Sequence, residues 1–298
     1  MPAIEVKGLF KNYGSVEAVR GIDLTVETGE VFALLGPNGA GKTTTVEILE
    51  GFLTPTEGEV RVLGIDPSTA GLSFRDRIGI VLQSSGVNKE LSVRETLVLF
   101  ARMYTKPLGV DEVIQLVGLE EKADARIKTL SGGQRRRVDL ALGIIGDPDL
   151  IFLDEPTTGF DPSARRRSWS LVHDLRALGK TILLTTHYMD EAQNLADRVA
   201  VIVGGRIVAE GTPDTLGDRQ SAATHIEFRV PLGTTGLPAP FSVGADGHVH
   251  AEVADPVAPL NELTGWAMRS NITLDGLSVA RSSLEDVYLS LTGDESHG

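Results

Sequence analysis

Short apolar runs alternate with longer amphipathic stretches over the first 218 residues of the chain. Residues 4–6, 22–26, 31–35, 60–63, 78–82, 150–153, 181–184 and 199–203 read as strands. Several of these, Val-Phe-Ala-Leu-Leu at 31–35 among them, are apolar without interruption, the pattern of strands covered on both faces. Residues 42–50, 93–104, 132–145, 163–178 and 189–195 carry helical periodicity. This alternation predicts an α/β domain on a largely parallel sheet.

The pattern changes near Arg219, which sets expected domains of 1–218 and 219–298. No lysine follows Lys180, and residues 219–298 hold four arginines against ten acidic residues. A Pro-, Gly- and Thr-rich loop at 231–240 separates strand candidates at 225–230, 248–253 and 273–280. A final helix is expected at 284–291. Ser282 and Glu285 form a capping box before it, and Leu284, Val287, Tyr288 and Leu291 make one apolar face. The expected appendix is small and α+β. Nothing in it has the spacing of a phosphate loop. The pair His248-x-His250 lacks a third ligand nearby, which weighs against a metal. Its expected role is to support assembly rather than chemistry.

At 298 residues the chain is long enough for one large domain and one small one. It has no cysteine, which excludes disulfides and cysteine-ligated zinc. A net charge of −13 argues against a nucleic-acid partner. The runs Arg135–Arg137 and Arg165–Arg167 therefore read as solvated or ion-paired helix faces. Met1-Pro2-Ala3-Ile4-Glu5 has neither the basic nor the apolar region of a secretory signal. No apolar run approaches the ~18 residues that span a bilayer. Any membrane element is expected from another chain.

Two stretches carry chemistry. Gly36-Pro37-Asn38-Gly39-Ala40-Gly41-Lys42-Thr43 matches the phosphate-loop pattern between an apolar strand and a helix. Its glycines let backbone N–H groups turn inward around phosphate oxygens, and the helix start adds partial positive charge. Lys42 supplies a cation for the β- and γ-phosphates, and the Thr43 hydroxyl suits Mg²⁺. Thr44 joins the nucleotide-binding set. The base-reading Asn-Lys-x-Asp of GTP-binding switches is missing, since Asn88-Lys89 continues as Glu90-Leu91. The second stretch is the apolar run 150–153, which delivers Asp154 and Glu155 to a strand end, where an α/β sheet places its ligands. Asp154 suits Mg²⁺, and Glu155 suits a proton acceptor for attacking water.

Leu130-Ser131-Gly132-Gly133-Gln134 lies between these two stretches. Ser131 and Gln134 fit a capping box at a helix start. The five-residue order also resembles the signature of ABC ATPases, a resemblance that covers residues 1–218. It implies a P-loop NTPase core with a helical subdomain, ATP and Mg²⁺ as ligands, and ATP bound between two copies of the chain. By the same resemblance Ser131 and Gly133 act on a γ-phosphate held by the other copy's Lys42, Gly132 joins the nucleotide-binding set, and Gln134 meets the ribose. Tyr13 is similar to the family's adenine-stacking aromatic, with a plain turn tyrosine as the alternative. Gln83 is similar to the glutamine that senses Mg²⁺ and γ-phosphate and links to the membrane partner. Asp161, in Gly159-Phe160-Asp161-Pro162, resembles the D-loop aspartate, and His187 the switch histidine that joins Lys42 and Glu155 in catalysis. Gly51–Gly58, Thr185–Ala192 and Leu284–Tyr288 resemble ABC-2-type drug and lipid exporters of the daunorubicin-resistance kind. That implies a separate transmembrane permease as partner and a place on the cytoplasmic face of the membrane. An importer subunit is the alternative. A DNA-repair or ribosomal ATPase is less consistent, because the chain has neither an inserted coiled coil nor a second core.

Overall fold

A computed structural model describes residues 1–81, 86–157, 162–216, 224–244, 246–281 and 288. Two units divide the chain, Met1–Pro213 and Asp214–Gly298. The first contains, in order, β1 (Ile4–Tyr13), β2 (Val16–Val26), β3 (Val31–Leu35), α1 (Lys42–Leu49), β4 (Glu57–Val62), α2 (Leu72–Arg75), β5 (Ile78–Val81) and α3 (Val93–Ala101). It continues with α4 (Val110–Leu116), α5 (Gly132–Ile144), β6 (Leu150–Asp154), α6 (Pro162–Ala177), β7 (Thr181–Thr186), α7 (Met189–Leu195), β8 (Arg198–Val203) and β9 (Arg206–Gly211).

A six-stranded sheet runs in the order β5-β6-β7-β3-β8-β9, parallel except at the β8–β9 edge. Every residue of β3 and β7 is buried, which accounts for their unbroken apolar or small-residue sequences. A second, antiparallel sheet, β2-β1-β4, shares one apolar core with it through Ile4, Leu9, Ile22, Phe32, Leu34, Ile48 and Phe152. Helices α3, α4 and α5 pack on one another and form the helical subdomain. Ser92 and Glu95 close a capping box at the start of α3. No helix among the described residues is long and apolar enough to cross a membrane.

The second unit contains β10 (Thr224–Arg229), β11 (His248–Val253), α8 (Val257–Ser270) and β12 (Asp275–Arg281). Its antiparallel sheet, β11-β10-β12, buries Ile226, Phe228, Val249 and Ala251 together with Leu263 of α8. The expected helix at 284–291 falls outside the described residues except for Tyr288, which is buried.

The sequence reading misses α2, α4, β9 and α8, and it takes β1 and β2 too short. Helix α8 holds Pro259 in its first turn and Gly265 in its interior. Both are breakers by residue type, but a first-turn proline loses only an N–H that has no helical partner. The hairpin of β1 and β2 carries charged residues and three register shifts, which blur its period.

Helix α5 reaches β5 through two glycines. A Cβ on Gly79 would lie 2.0 Å from the Gly143 carbonyl oxygen, and one on Gly143 would lie 2.4 Å from Val81 Cγ2. At Gly79 the obstacle is backbone, so no rotamer change makes room. Gly79→Ala is expected to lower unfolding free energy by about 1–3 kcal/mol through overpacking. Urea unfolding of the variant checks this, and wild-type stability would show that α5 moves freely on the sheet.

Candidate active site

The loop from Gly36 to Gly41 leaves β3 and turns into α1. A Cβ on Gly36 would lie 2.3 Å from the Ile202 carbonyl oxygen, and one on Gly41 would lie 2.5 Å from that of Ala18. Gly39 and Gly41 also hold φ of 81° and 104°, a region that favours glycine. Ala40 is buried, Asn38, Gly39 and Thr43 are exposed, and Pro37 and Thr44 are half-buried. The Lys42 side chain curls back over the loop, and its Nζ donates to the Gly36 oxygen at 2.7 Å and the Pro37 oxygen at 3.0 Å. Burial pulls its pKa below the ordinary lysine value, while the charges of Glu155 and Asp154 push it back up. A narrow glycine turn, a helix start and a buried ammonium fit a polyphosphate.

Asp154 closes β6 and pairs in register with Thr185 of β7. The Thr185 hydroxyl donates to Asp154 Oδ1 at 2.6 Å, fixing the carboxylate at the sheet's C-terminal edge. With the exposed Thr43 hydroxyl it offers hard oxygen donors of the kind Mg²⁺ takes. Glu155 stands in the left-handed region at φ 44°, and its N–H donates to the Thr185 carbonyl at 3.2 Å and hydroxyl at 3.1 Å. Such a backbone costs on the order of 1–3 kcal/mol, and outliers of this kind cluster at active sites. Glu155 Oε1 lies 3.1 Å from His187 Nδ1. The His187 ring meets Tyr188 at 4.0 Å between centroids. Arg165 lies over Tyr188 at 4.5 Å and bonds Asp190 at 2.8 Å.

Ser131 caps α5. Its hydroxyl accepts from the Gln134 N–H at 3.2 Å, and the Gln134 side chain accepts from the Ser131 N–H at 2.9 Å. Ser131 and Gly132 are exposed, and Gly133 and Gln134 are half-buried. Among the described residues no hydrogen bond or ion pair joins this segment to the loop at 36–43. The site residues thus form two groups. Lys42, Asp154, Glu155 and His187 come together, while Ser131–Gln134 stand apart. Tyr13 ends β1, 47% exposed, with the Lys11 ammonium 5.2 Å from its ring centre. Gln83 and Asp161 lie outside the described residues.

Two residues of the site escape the sequence reading. Arg136, expected on a solvated or ion-paired face, does pair with Asp139 at 3.9 Å, but it is buried, 7% exposed. Its Nε donates to the Pro156 oxygen at 3.2 Å and its Nη2 to the Asp154 oxygen at 3.0 Å. A usable signal existed, because Arg136, Leu140 and Gly143 share one helix face at i, i+4, i+7 spacing, and the acidic chain composition outweighed it. Glu50, at the end of α1, is buried and lines a cavity of about 440 Å³ with Phe52, Arg75, Ile80, Phe100 and Tyr104. Burial first, then the charges of Asp154 and Glu47, push its pKa up to about 8.

Comparison with known proteins follows the same division. Residues 19–158 match the family model described as ABC transporter, and residues 224–283 match that of an ABC transporter domain-containing protein-like, C-terminal domain. The Nod factor export ATP-binding protein I of Rhizobium meliloti (strain 1021) is 41% identical, over 98% of this chain and 89% of that protein. The daunorubicin/doxorubicin resistance ATP-binding protein of Streptomyces peucetius is 39% identical, over 98% of this chain and 92% of that protein. An ATP-binding cassette solved as a dimer in a post-hydrolysis state with ADP and Pi superposes with a TM-score of 0.63 at 26% identity, covering 70% of this chain and 98% of that one.

Glu50 makes stability depend on pH. The folded chain keeps a proton on this carboxyl that the unfolded chain releases above about 4.5, so the contribution is full below that pH and is lost as pH rises to about 8. Glu50→Gln does not titrate. The stability difference between Glu50→Gln and wild type is expected to shift in favour of the variant by on the order of 2–4 kcal/mol between pH 5 and pH 8. Urea unfolding at the two pH values measures it, and a pH-independent difference would contradict the buried neutral carboxyl.

Proposed function

The chain belongs to the ABC transporter ATP-binding family, and on that premise we propose that it is the ATP-hydrolysing motor of an exporter, working in two copies on a separate membrane permease. The observation that carries this reading is the split site. A phosphate loop, a carboxylate pair and a histidine meet at one sheet edge, while among the described residues no hydrogen bond or ion pair joins Ser131–Gln134 on α5 to any of them.

ATP enters with its phosphates on the loop at 36–43. The Lys42 ammonium exchanges its loop carbonyls for β- and γ-phosphate oxygens. Mg²⁺, when bound, neutralises phosphate charge, and Thr43, Asp154 and the family-assigned Gln83 are the residues that would hold it. Thr185 keeps Asp154 aimed at that position. Glu155 accepts a proton from the attacking water, and His187, 3.1 Å from it, orients the carboxylate and faces the γ-phosphate. Tyr13 offers the adenine a ring face. Asp161 is assigned to the contact between copies by the family pattern alone.

The second half of each site is Ser131, Gly132, Gly133 and Gln134 of the other copy. A helix start with an exposed serine and two glycines supplies the donors a γ-phosphate needs, and ATP then acts as the glue of the dimer. The relatives named for Nod factor export and daunorubicin/doxorubicin resistance support export as the direction. The permease contact is assigned to the cavity lined by Glu50, Phe52, Phe100 and Tyr104, which Gly86 and Val87 border just after Gln83. This reading sets the chain on the cytoplasmic face of the membrane, with residues 1–218 as motor and 219–298 as an accessory domain that supports assembly.

Glu155→Gln tests the reading. The amide keeps the hydrogen-bonding shape and loses the proton acceptor. With saturating Mg-ATP the variant is expected to hydrolyse at least about 100-fold more slowly than wild type and to accumulate as a dimer in light scattering. A monomer with bound ATP, or wild-type turnover, would overturn it.

A further inference from the structure

The outer face of the C-terminal sheet carries a cluster that the motor does not use. Strands β10 and β11 pair in antiparallel register, with His225 opposite Glu252 and Glu227 opposite His250. The four side chains occupy alternate positions, so they share one face. The opposite face is pinned by Ile226, Phe228, Val249 and Ala251 in the core, which fixes the register and holds the array outward.

We propose that His225, His250 and Glu252 bind a divalent transition-metal ion of the zinc class, with Glu227 orienting one of the ligands. The ligating atoms of these three residues all lie within 4.8 Å of one another. One carboxylate sits between two imidazoles, since Glu252 Oε1 is 3.6 Å from His225 Nδ1 and 3.6 Å from His250 Nε2. A tetrahedral ion with bonds of about 2.0–2.2 Å needs its ligands some 3.4 Å apart, which small rotations of these partly exposed side chains provide. The second nitrogen of His250 is already engaged, with Nδ1 3.1 Å from Glu227 Oε1. With its Nδ1–H donated to Glu227, His250 has the Nε2 lone pair to offer a metal on the side where Glu252 lies. Carboxylate–imidazole–metal relays are the usual way proteins fix a histidine ligand.

Two imidazoles and one carboxylate select against Mg²⁺ and Ca²⁺, which take oxygen sets, and favour Zn²⁺, Ni²⁺ or Cu²⁺. Water completes the coordination. The sequence reading weighed against a metal at His248-x-His250 because it saw no third ligand nearby. The further ligands are Glu252 on β11 and His225 on the neighbouring strand, which only the fold brings close. Both strands are framework rather than loop, and a site on such elements holds its geometry well.

Calorimetric titration of the full, chelator-washed chain with zinc chloride tests the proposal. Wild type is expected to bind one Zn²⁺ per chain at this site, and Co²⁺ in its place is expected to give the visible absorption of a four-coordinate N/O complex. H225A/H250A should lose that isotherm and spectrum, E252Q should weaken it, and Glu227→Gln should weaken it about 10–100-fold while leaving stoichiometry intact. Circular dichroism confirms that the variants fold, as solvent-face changes permit. Absence of saturable binding to wild type would overturn the proposal. So would Zn²⁺ binding that H225A/H250A and E252Q leave unchanged, which would place the ion elsewhere, among the nucleotide-site carboxylates for instance.

Discussion

The parallel pairing of β7 with β6 on one side and β3 on the other sets Thr185 beside Asp154 and Thr186 beside Leu35. Three strand ends are thereby level, and each hands its next residues to the same edge. From β3 comes the glycine loop with Lys42, from β6 the two carboxylates, and from β7 the histidine. A one-residue slip of β7 would turn the Thr185 hydroxyl away from Asp154 and carry His187 out of reach of Glu155. Strands β3 and β7 are fully buried, and the close packing of specific side chains on both their faces opposes that slip. Thr185 is the joint of the arrangement. Its hydroxyl holds Asp154 while its carbonyl and hydroxyl take the Glu155 N–H, and that double acceptance supports the left-handed backbone that turns Glu155 toward His187.

A second link ties this edge to the helical subdomain. Arg136 reaches from α5 to the carbonyl oxygens of Asp154 and Pro156, and Gly143, further along the same helix, lies against Gly79 of β5. Helix α5 is capped by Ser131, so the segment proposed to meet the partner's nucleotide is anchored by one buried guanidinium to the backbone that carries Asp154 and Glu155. Removing such a group takes a charged donor from both carbonyls, and an acceptor left unsatisfied in a buried place costs more than the bond itself. Under the proposed function, the segment that meets the partner's γ-phosphate and the carboxylate that activates water in the chain's own site would belong to a single connected network.

Much of this was legible in the sequence because the relevant signals are local. The phosphate loop, the apolar strand ending in Asp154-Glu155 and the capping box of Ser131 and Gln134 each depend on neighbours within a few residues, and the structure shows the loop, the strand and the cap. The residues that were missed depend on contacts distant in sequence. Arg136 reads as surface because its carbonyl partners lie some twenty residues away, across a strand. Glu50 reads as an ordinary helix end because only the fold sets Asp154 near it. Helix α8 goes unread because its proline and glycine are breakers by type, and the Leu263 contact with the β10–β11 face reveals the packing that overrides them. His225 and His250, 25 positions apart in the chain, become neighbours only through strand register.

The central claim is that a complete catalytic site needs Lys42 from one copy and Ser131 from another. Mixing chains that carry Lys42→Ala with chains that carry Ser131→Arg tests it most directly, with heterodimer formation followed by differential tagging. Each variant alone has every site broken. In the heterodimer one site joins two defective halves, while the other joins an intact Lys42 to an intact Ser131. The account predicts ATP hydrolysis that reappears on mixing and scales with the fraction of heterodimer. Heterodimers that form in full and stay as inactive as either parent would contradict it.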